Sequence, residues 1–206
     1  MSVARGWHPD PVRIATWNVN SIRPRVPRFL PWLEQRRPDV VCLQETKLTD
    51  AAFDELLGED LTRLGYRWVH HGQGQWNGVA VLSRVGLDDP STGLPGDPGF
   101  PDPATLEARA ASATCGGVRV TSVYVPNGRT PDDPHYSYKL AWLDALRAYA
   151  ATTEGDQVIC GDVNIAPTDI DVFDPVAYVG QTHVTGPERA ALAALQETGL
   201  RDVVRD

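Results

Sequence analysis

The sequence predicts a layered α/β fold, and two observations support this prediction. Short apolar runs rich in Val and Ile recur along the chain, as is typical of strands. The segments between them carry apolar residues at helical spacing. Because strand and helix patterns alternate, we expect sheets covered by helices. The 206 residues are predicted to form one domain, residues 1–206, with a sizeable core.

Five apolar runs are predicted to be strands. One of them alternates, so that Val120, Ser122 and Tyr124 share one side. The other four are nearly continuous and are therefore expected to be buried on both faces. The runs are VRIATW (12–17), VVCLQ (40–44), GVAVLS (78–83), VRVTSVYV (118–125) and QVIC (157–160).

Two long helices are predicted in the second half of the chain. Residues 137–153 carry leucines at helical spacing. In residues 185–199, Thr185 and Glu188 have the spacing of a capping box, and Gly199 marks the expected end of the helix.

Two helices are also expected in the first half. One should be capped by Asp50 and end at Gly58. The other should begin at or near Pro27 and be distorted around Pro31, because a proline inside a helix removes a hydrogen bond. Residues 86–105 are dense in Pro, Gly and Asp and are predicted to form a long irregular loop.

Composition and charge exclude several classes of protein. The net charge of −8 argues against binding nucleic acid through bulk positive charge, but it allows a local basic groove or a metal site. The three cysteines have no paired spacing and lie in apolar segments, which indicates reduced thiols in a cytoplasmic protein. No stretch is long and apolar enough for a membrane span, and residues 1–11 lack the apolar core of a secretory signal.

Polar side chains follow several of the predicted strands. In VICGDVNIAPTDID (158–171), Asp162 and Asn164 lie two residues apart and share one side of an extended chain. Active sites in layered α/β proteins assemble where strand ends converge. The polar residues at these ends are Asn18, Asn20, Gln44, Glu45, Tyr124, Asn127, Arg129, Asp162 and Asn164.

Each of these residues also has a purely structural interpretation. An Asn after a strand is typical of a turn, Glu45 alone would be solvated, Tyr124 would be a core residue, and Gly161-Asp162 resembles a hairpin turn. The repetition of the pattern at four strand ends favours a site. Two carboxylates with amide neighbours, without Cys or His ligands, suit Mg²⁺ or Mn²⁺ and the handling of phosphate esters.

The motifs together resemble the exodeoxyribonuclease III/AP endonuclease family, which belongs to the endonuclease/exonuclease/phosphatase superfamily. They span residues 13 to about 175 in the order of that family. The motifs are WNVNSIR, PDVVCLQETK, NGVAVLS, VYVPNGR with YKLAWLDAL, and GDVNIAPTDIDVFDP.

The resemblance implies a four-layer α/β sandwich of two mostly antiparallel sheets flanked by helices. It further implies a Mg²⁺-dependent (or Mn²⁺-dependent) DNA phosphodiester hydrolase of base-excision repair, with abasic-site endonuclease and 3′–5′ exonuclease activity. The expected partner is double-stranded DNA with abasic sites or 3′ ends. We expect a cytoplasmic monomer that does not interact with membranes.

The same resemblance implies roles for the candidate residues. Glu45 would ligate the metal and Asn18 would help to hold it, with Asp162 and Asn164 completing its surroundings. Tyr124 would hydrogen-bond the scissile phosphate. Asp162 would position the attacking water or protonate the leaving oxygen, and Asn164 would orient the phosphate.

Four further residues are expected to contact DNA. Asn127 and Arg129 would touch the phosphate backbone. Trp76 and Asn77 lie in the loop HGQGQWNG, at a place where the family meets DNA. A plain hairpin loop with a half-buried Trp76 is the alternative for this segment.

The sequence departs from the family at its carboxyl end. The family continues with a Trp-rich stretch, an Asp late in a strand and a closing Ser-Asp-His motif, and the printed sequence has none of these. We therefore expect a fragment or truncated product that lacks carboxyl-terminal strands and exposes a sheet edge. Two alternative functions stay open. One is another phosphoesterase of the superfamily, acting on phosphomonoesters or lipid phosphodiesters. The other is a non-catalytic fragment that binds DNA.

Overall fold

The computed structural model describes residues 11–205. The expectation that residues 1–11 form no secretory signal falls almost wholly outside the described residues. The described residues form eight strands and four α-helices. The strands are β1 (Ile14–Asn18), β2 (Val40–Gln44), β3 (Arg67–His71), β4 (Val79–Ser83), β5 (Asp88–Thr92), β6 (Ala110–Cys115), β7 (Val118–Tyr124) and β8 (Gln157–Asp162). The helices are α1 (Val26–Arg36), α2 (Asp50–Arg63), α3 (Pro134–Thr152) and α4 (Gly186–Gln196).

The strands form two four-stranded sheets, in the orders β1-β2-β4-β3 and β5-β6-β7-β8. Within each sheet one pair is parallel, β1 with β2 and β7 with β8, and the other pairs are antiparallel. A helix lies between the two strands of each parallel pair, α1 in the first sheet and α3 in the second, since parallel strands need a crossover connection.

Three apolar clusters show how the layers pack. One joins α1 and α2 to the first sheet, one joins α3 and α4 to the second, and one lies between the sheets. The predicted four-layer α/β sandwich is therefore confirmed. The clusters include Phe29, Leu33, Phe53 and Leu57 in the first, Trp142, Leu143, Leu146 and Leu195 in the second, and Val40, Cys42, Val81, Ala113 and Val120 in the third.

Burial of the strands corrects part of the sequence prediction. The predicted runs 40–44 and 78–83 correspond to β2 and β4, which are buried throughout, as expected. β1 and β8 were also expected to be buried on both faces, but most of their residues are only half-buried. The reason is that each pairs with a single neighbour among residues 11–205, and so lies at an edge of its sheet.

Three strands were missed because their sequences lack the Val and Ile signal. β3 carries an arginine and two histidines, β6 consists mostly of small residues, and all of β5 is exposed. β5 lies inside the segment 86–105 that was predicted to be irregular. It forms because it pairs with β6.

The helices confirm some predicted boundaries and correct others. The capping box of α4 is present, with Pro187 in its first turn, but the helix ends at Gln196 rather than next to Gly199. α1 begins at Val26, next to the expected Pro27, and it runs on through Pro31.

The boundaries of α2 were predicted wrongly at both ends. Its N-cap is Thr49, whose side chain accepts a hydrogen bond from the Ala52 amide, rather than Asp50. The helix also continues past Gly58. Gly58 therefore lies inside α2, where it packs against the Trp68 ring of β3 and does not end the helix.

Two further sequence predictions concern the cysteines and the membrane. Cys42 and Cys115 are buried, Cys160 is half-buried, and all three are free thiols. In the described part of the chain, no helix has the length and apolar character needed to cross a membrane.

Gly161→Ala tests the backbone at the end of β8. Gly161 has a φ of +148°, and a Cβ there would overlap the carbonyl oxygen of Val123 on β7. We expect a loss of roughly 2–4 kcal/mol in the free energy of unfolding, measured by urea denaturation. Gly155→Ala is the matched control, because Gly155 also has a positive φ but has open space around it. Equal losses in the two variants would contradict the steric explanation.

Candidate active site

Three polar side chains from both sheets meet at one end of the sandwich. Asn18 ends β1, Glu45 directly follows β2, and Asp162 ends β8. The Asn18 Nδ2 donates to Glu45 Oε1 at 2.7 Å and to Asp162 Oδ2 at 2.8 Å. The carboxamide of one sheet therefore bridges two carboxylates, and one of these belongs to the other sheet.

The turn that carries Glu45 has an unusual backbone. Glu45 and Lys47 both have a φ of +54°, in the left-handed region that residues other than glycine seldom adopt. The neighbouring loop holds this turn, because the Thr46 amide donates to the Gly78 carbonyl and the Lys47 amide to the Asn77 carbonyl, each at 3.0 Å. These bonds fix the direction in which the Glu45 side chain leaves the sheet.

A chain of hydrogen bonds anchors the same turn from inside the protein. Thr46 Oγ1 lies 2.8 Å from His70 Nε2, and His70 Nδ1 lies 2.7 Å from Asp50 Oδ1. Burial lowers the pKa of His70, although the Asp50 carboxylate acts in the opposite direction. His70 is therefore neutral at neutral pH and holds Thr46 in place.

Glu45 is ionised at neutral pH. Burial alone would raise its pKa, but hydrogen bonds from Asn18 and Lys47 outweigh this effect and hold the pKa below its ordinary value. The Lys47 Nζ lies 2.9 Å from Glu45 Oε2 and donates to Asn20 Oδ1 at 2.6 Å.

Asp162 and Asn164 orient each other. The backbone N–H of Asn164 donates to Asp162 Oδ1 at 3.0 Å, while the Asn18 side chain donates to Asp162 Oδ2. The Asn164 Nδ2 donates to the Val125 carbonyl at 2.8 Å, and Asn164 has a φ of +50°. The two side chains are thus held in fixed directions at the end of β8.

Tyr124 stands opposite Asp162 in the pairing of β7 with β8. The guanidinium of Arg109 lies 5.0 Å from the centre of the Tyr124 ring and donates to the Tyr124 carbonyl at 3.2 Å. Glu107 accepts from Arg109 Nε at 2.7 Å and completes this support. Burial, reinforced by the negative charge of Glu45, raises the pKa of Tyr124. The phenol therefore stays protonated and can donate a hydrogen bond at neutral pH.

The four predicted DNA contacts lie in different surroundings. Trp76 is 64% exposed, and the side chain of Arg129 is 61% exposed. Asn127 Nδ2 lies 3.1 Å from His183 Nε2. Asn77 is buried, and its Nδ2 donates to Gln73 and Glu107, so its side chain is held by other residues of the protein.

Several residues around the site were not predicted from the sequence. Arg109 and Glu107 support Tyr124, and neither lies in a motif that indicates this role. Lys139 did leave a signal, because its helical spacing places it on the same face as the buried Leu143 and Leu146. A lysine on an apolar helix face requires a buried partner.

The oxygen donors of the site fit the divalent cation that the resemblance implies. In residues 11–205, no group of three or more His, Cys, Asp or Glu side chains is placed to hold a metal ion. Glu45 and Asp162 supply two carboxylates beside the carboxamide of Asn18. This set suits Mg²⁺, which is commonly bound through one or two carboxylates and keeps several waters.

Comparison with known proteins places the chain among nucleases. The model of the Endonuclease/Exonuclease/phosphatase family matches residues 15–203. An exodeoxyribonuclease of Bacillus subtilis is 29% identical, over 94% of this chain and 75% of its own length.

Two solved structures have a similar fold. An AP endonuclease from Archaeoglobus fulgidus has a TM-score of 0.86 and 38% identity, over 95% of this chain and 74% of its own. A 3′ phosphatase from Neisseria, bound to a product DNA hairpin, has a TM-score of 0.86 and 37% identity over the same shares.

Asn18→Asp tests the bridge between the two carboxylates. A third carboxylate would replace the donor that helps to lower the pKa of Glu45, and repulsion would raise the pKa of Glu45 in the folded state. The variant therefore loses stability relative to the unmodified protein as the pH rises and Glu45 ionises. In metal-free buffer we expect a loss of roughly 1–3 kcal/mol at pH 7.5 and a smaller loss near pH 4.5, measured by urea denaturation.

Asn20→Asp is the control for this variant. Asn20 is exposed and accepts from Lys47, so a carboxylate at this position gains a cationic neighbour. It should leave stability nearly unchanged. A loss in Asn18→Asp that is equal at both pH values would contradict the electrostatic explanation.

Proposed function

The chain belongs to the endonuclease/exonuclease/phosphatase family, and we propose that it is a Mg²⁺-dependent hydrolase of DNA phosphodiesters. Its substrates would be abasic sites and 3′ ends in duplex DNA, from which it would remove blocking groups or nucleotides, and its role would be in base-excision repair. Its relatives include an exodeoxyribonuclease, an AP endonuclease and a 3′ phosphatase whose structure is bound to a product DNA hairpin. Mn²⁺ would replace Mg²⁺, since both prefer oxygen ligands.

The observation that carries the proposal is the double hydrogen bond of Asn18. It brings Glu45 and Asp162 from different sheets to one carboxamide, at 2.7 and 2.8 Å. A turn residue or a solvated glutamate, the structural alternatives for these positions, does not require such convergence. A pair of carboxylates beside amides is instead a typical arrangement for handling a phosphate ester together with Mg²⁺.

The residues divide the chemistry among them. Asp162, oriented by the Asn18 side chain and the backbone N–H of Asn164, would position the attacking water or protonate the leaving oxygen. Tyr124, protonated at neutral pH, would donate a hydrogen bond to a phosphate oxygen. The side-chain amide of Asn164 donates one N–H to the Val125 carbonyl, and its second N–H would donate to the phosphate. These donors would stabilise the charge that develops on the phosphate oxygens.

Glu45 and Asp162, with Asn18, would hold the metal ion. When bound, the ion supplies Lewis-acid polarisation of the phosphate and offsets its charge. Lys47 pairs with Glu45 and would keep a positive charge next to the same phosphate.

Binding of DNA would rest on local charge, since the chain as a whole carries a net charge of −8. Arg129 and Trp76 are exposed and would contact the phosphate backbone and the groove. Asn127 would contact the backbone next to the scissile phosphate. Asn77, whose side chain is buried, would act by shaping the loop that carries Trp76.

The substrate is tested by incubating the protein with three substrates in Mg²⁺. These are a duplex with one abasic site, a duplex with a 3′-phosphate, and an inositol phosphate. We expect cleavage 5′ to the abasic site, removal of the 3′-phosphate and no reaction with the inositol phosphate. EDTA should abolish both reactions, and Mn²⁺ should restore them. Faster hydrolysis of the inositol phosphate would favour another phosphoesterase, and DNA binding without cleavage would favour a non-catalytic fragment.

Asn18→Ala and Asn164→Ala test the named groups. Asn18→Ala removes the donor that bridges Glu45 and Asp162, and Asn164→Ala removes the carboxamide that is held on the Val125 carbonyl. Each should lower kcat roughly 10²–10³-fold. Single-turnover cleavage of the abasic duplex measures the effect. Gln35→Ala, which removes an exposed carboxamide on α1, is the control and should stay within a few-fold of the unmodified protein. A change under a few-fold in Asn18→Ala would contradict the assigned role.

A further inference from the structure

A fully buried ion pair lies directly beneath the proposed active site. Lys139 on α3 and Glu188 in the first turn of α4 each have 0% of their side chain exposed, and Lys139 Nζ lies 2.5 Å from Glu188 Oε1. Burying two charges costs free energy, which their attraction recovers only when every hydrogen-bonding group is paired. The other partners of these two groups therefore indicate what the pair does.

The remaining bonds of Lys139 go to the backbone of the site. Its Nζ donates to the Asn164 carbonyl at 2.6 Å and to the Asn127 carbonyl at 3.3 Å. With the bond to Glu188, all three donors of the ammonium group are used. Asn127 follows β7 and Asn164 follows β8, so one side chain joins the loops at the ends of both strands.

Glu188 is equally saturated. It accepts from Thr182 Oγ1 at 2.7 Å, from the His183 amide at 2.9 Å, and from the amide and hydroxyl of Thr185 at 3.0 and 2.8 Å. Burial would raise the pKa of Glu188, but these donors and Lys139 together lower it to about 2. The carboxylate is therefore charged over the whole physiological range.

The loops themselves depend on this contact. Asn164 has a φ of +50°, in the left-handed region, and its carbonyl is held by Lys139 Nζ. A Cβ at Gly128, next to Asn127, would lie 2.8 Å from Thr182 Oγ1 and 3.1 Å from Lys139 Cδ, so this loop packs on Thr182 and on the lysine stem. A pair that served only to join α3 to α4 would not need to bond these two carbonyls.

We propose that Lys139, held by Glu188, is a positioning residue that fixes the backbones of Asn127 and Asn164 and thereby aims their carboxamides at the phosphate. That a phosphate binds at this site rests on the proposed function. Lys139 does not touch the substrate. It acts by setting the direction of two groups that do, and misplacement by about 1 Å can cost on the order of 10²-fold in rate.

The test uses the double variant Lys139→Met/Glu188→Gln, which removes both charges and keeps the side-chain volumes. We expect kcat on the abasic duplex to fall at least about tenfold, while KM changes by less. Tyr66→Phe is the control for lost stability. It removes a buried hydrogen bond to the Pro38 carbonyl, far from these loops, and should change kcat by less than about twofold.

A double-mutant cycle distinguishes positioning from general destabilisation. In an Asn164→Ala background the carboxamide that Lys139 aims is missing, so the double variant should lower kcat much less than it does in the unmodified protein. Equal losses in the two backgrounds would overturn the proposal. Lys139→Arg keeps the positive charge and the hydrogen-bond donors, so its kcat should lie above that of the Lys139→Met/Glu188→Gln variant.

Hydrogen exchange gives a readout that does not depend on catalysis. In the double variant the amides of Arg129, Asn164 and Ala166 should exchange faster, while those at the centre of α3 keep their protection. Uniform loss of protection would overturn the proposal even if the protein proved inactive on DNA. If the double variant does not fold, Thr182→Val is a milder change, because it removes one hydroxyl that lies 2.7 Å from Glu188 Oε1 and 3.2 Å from the Asn127 carbonyl oxygen. Unchanged exchange and unchanged kcat in that variant would count against the proposal.

Discussion

The parallel pairing of two strand pairs is the constraint on which the site depends. Asn18 lies opposite Gln44 in the pairing of β1 with β2, and Tyr124 lies opposite Asp162 in the pairing of β7 with β8. Each pair therefore presents the carboxyl ends of both strands at the same level. Because the two sheets pack face to face through an apolar layer, the four ends meet at one end of the sandwich. Asn18 can then reach Asp162, although 144 residues separate them along the chain.

The site combines strained backbone with buried charge, and the rest of the fold supports both. Positive φ angles at Glu45 and Lys47 cost about 1–3 kcal/mol each, and they persist because backbone hydrogen bonds to neighbouring loops hold them. Cations stand beside the carboxylates, Lys47 at Glu45 and Arg109 at Glu107. An acidic protein can therefore maintain a site suited to phosphate, because the local field around the site is set by these pairs and not by the net charge.

Local patterns in the sequence were sufficient for the fold class and for much of the site. Continuous apolar runs predicted β2 and β4, since burial on both faces needs such a run. The spacing of Thr185 and Glu188 predicted the start of α4, because a capping box involves only neighbouring residues. Polar residues directly after apolar runs indicated Asn18, Glu45 and Asp162, and the resemblance of the motifs pointed to the family.

Contacts between distant segments decided the rest. β5 is a strand because β6 pairs with it, and α2 continues through Gly58, which packs against Trp68 of β3. Asn77, predicted to face DNA, turns inward to Glu107. The sequence by itself determined which polar residues follow the apolar runs of β1, β2, β7 and β8 and where the capping box starts α4, since periodicity and capping are local. Only the tertiary structure decided which of those ends meet, because pairing across two packed sheets depends on register and layer geometry, which no local pattern encodes.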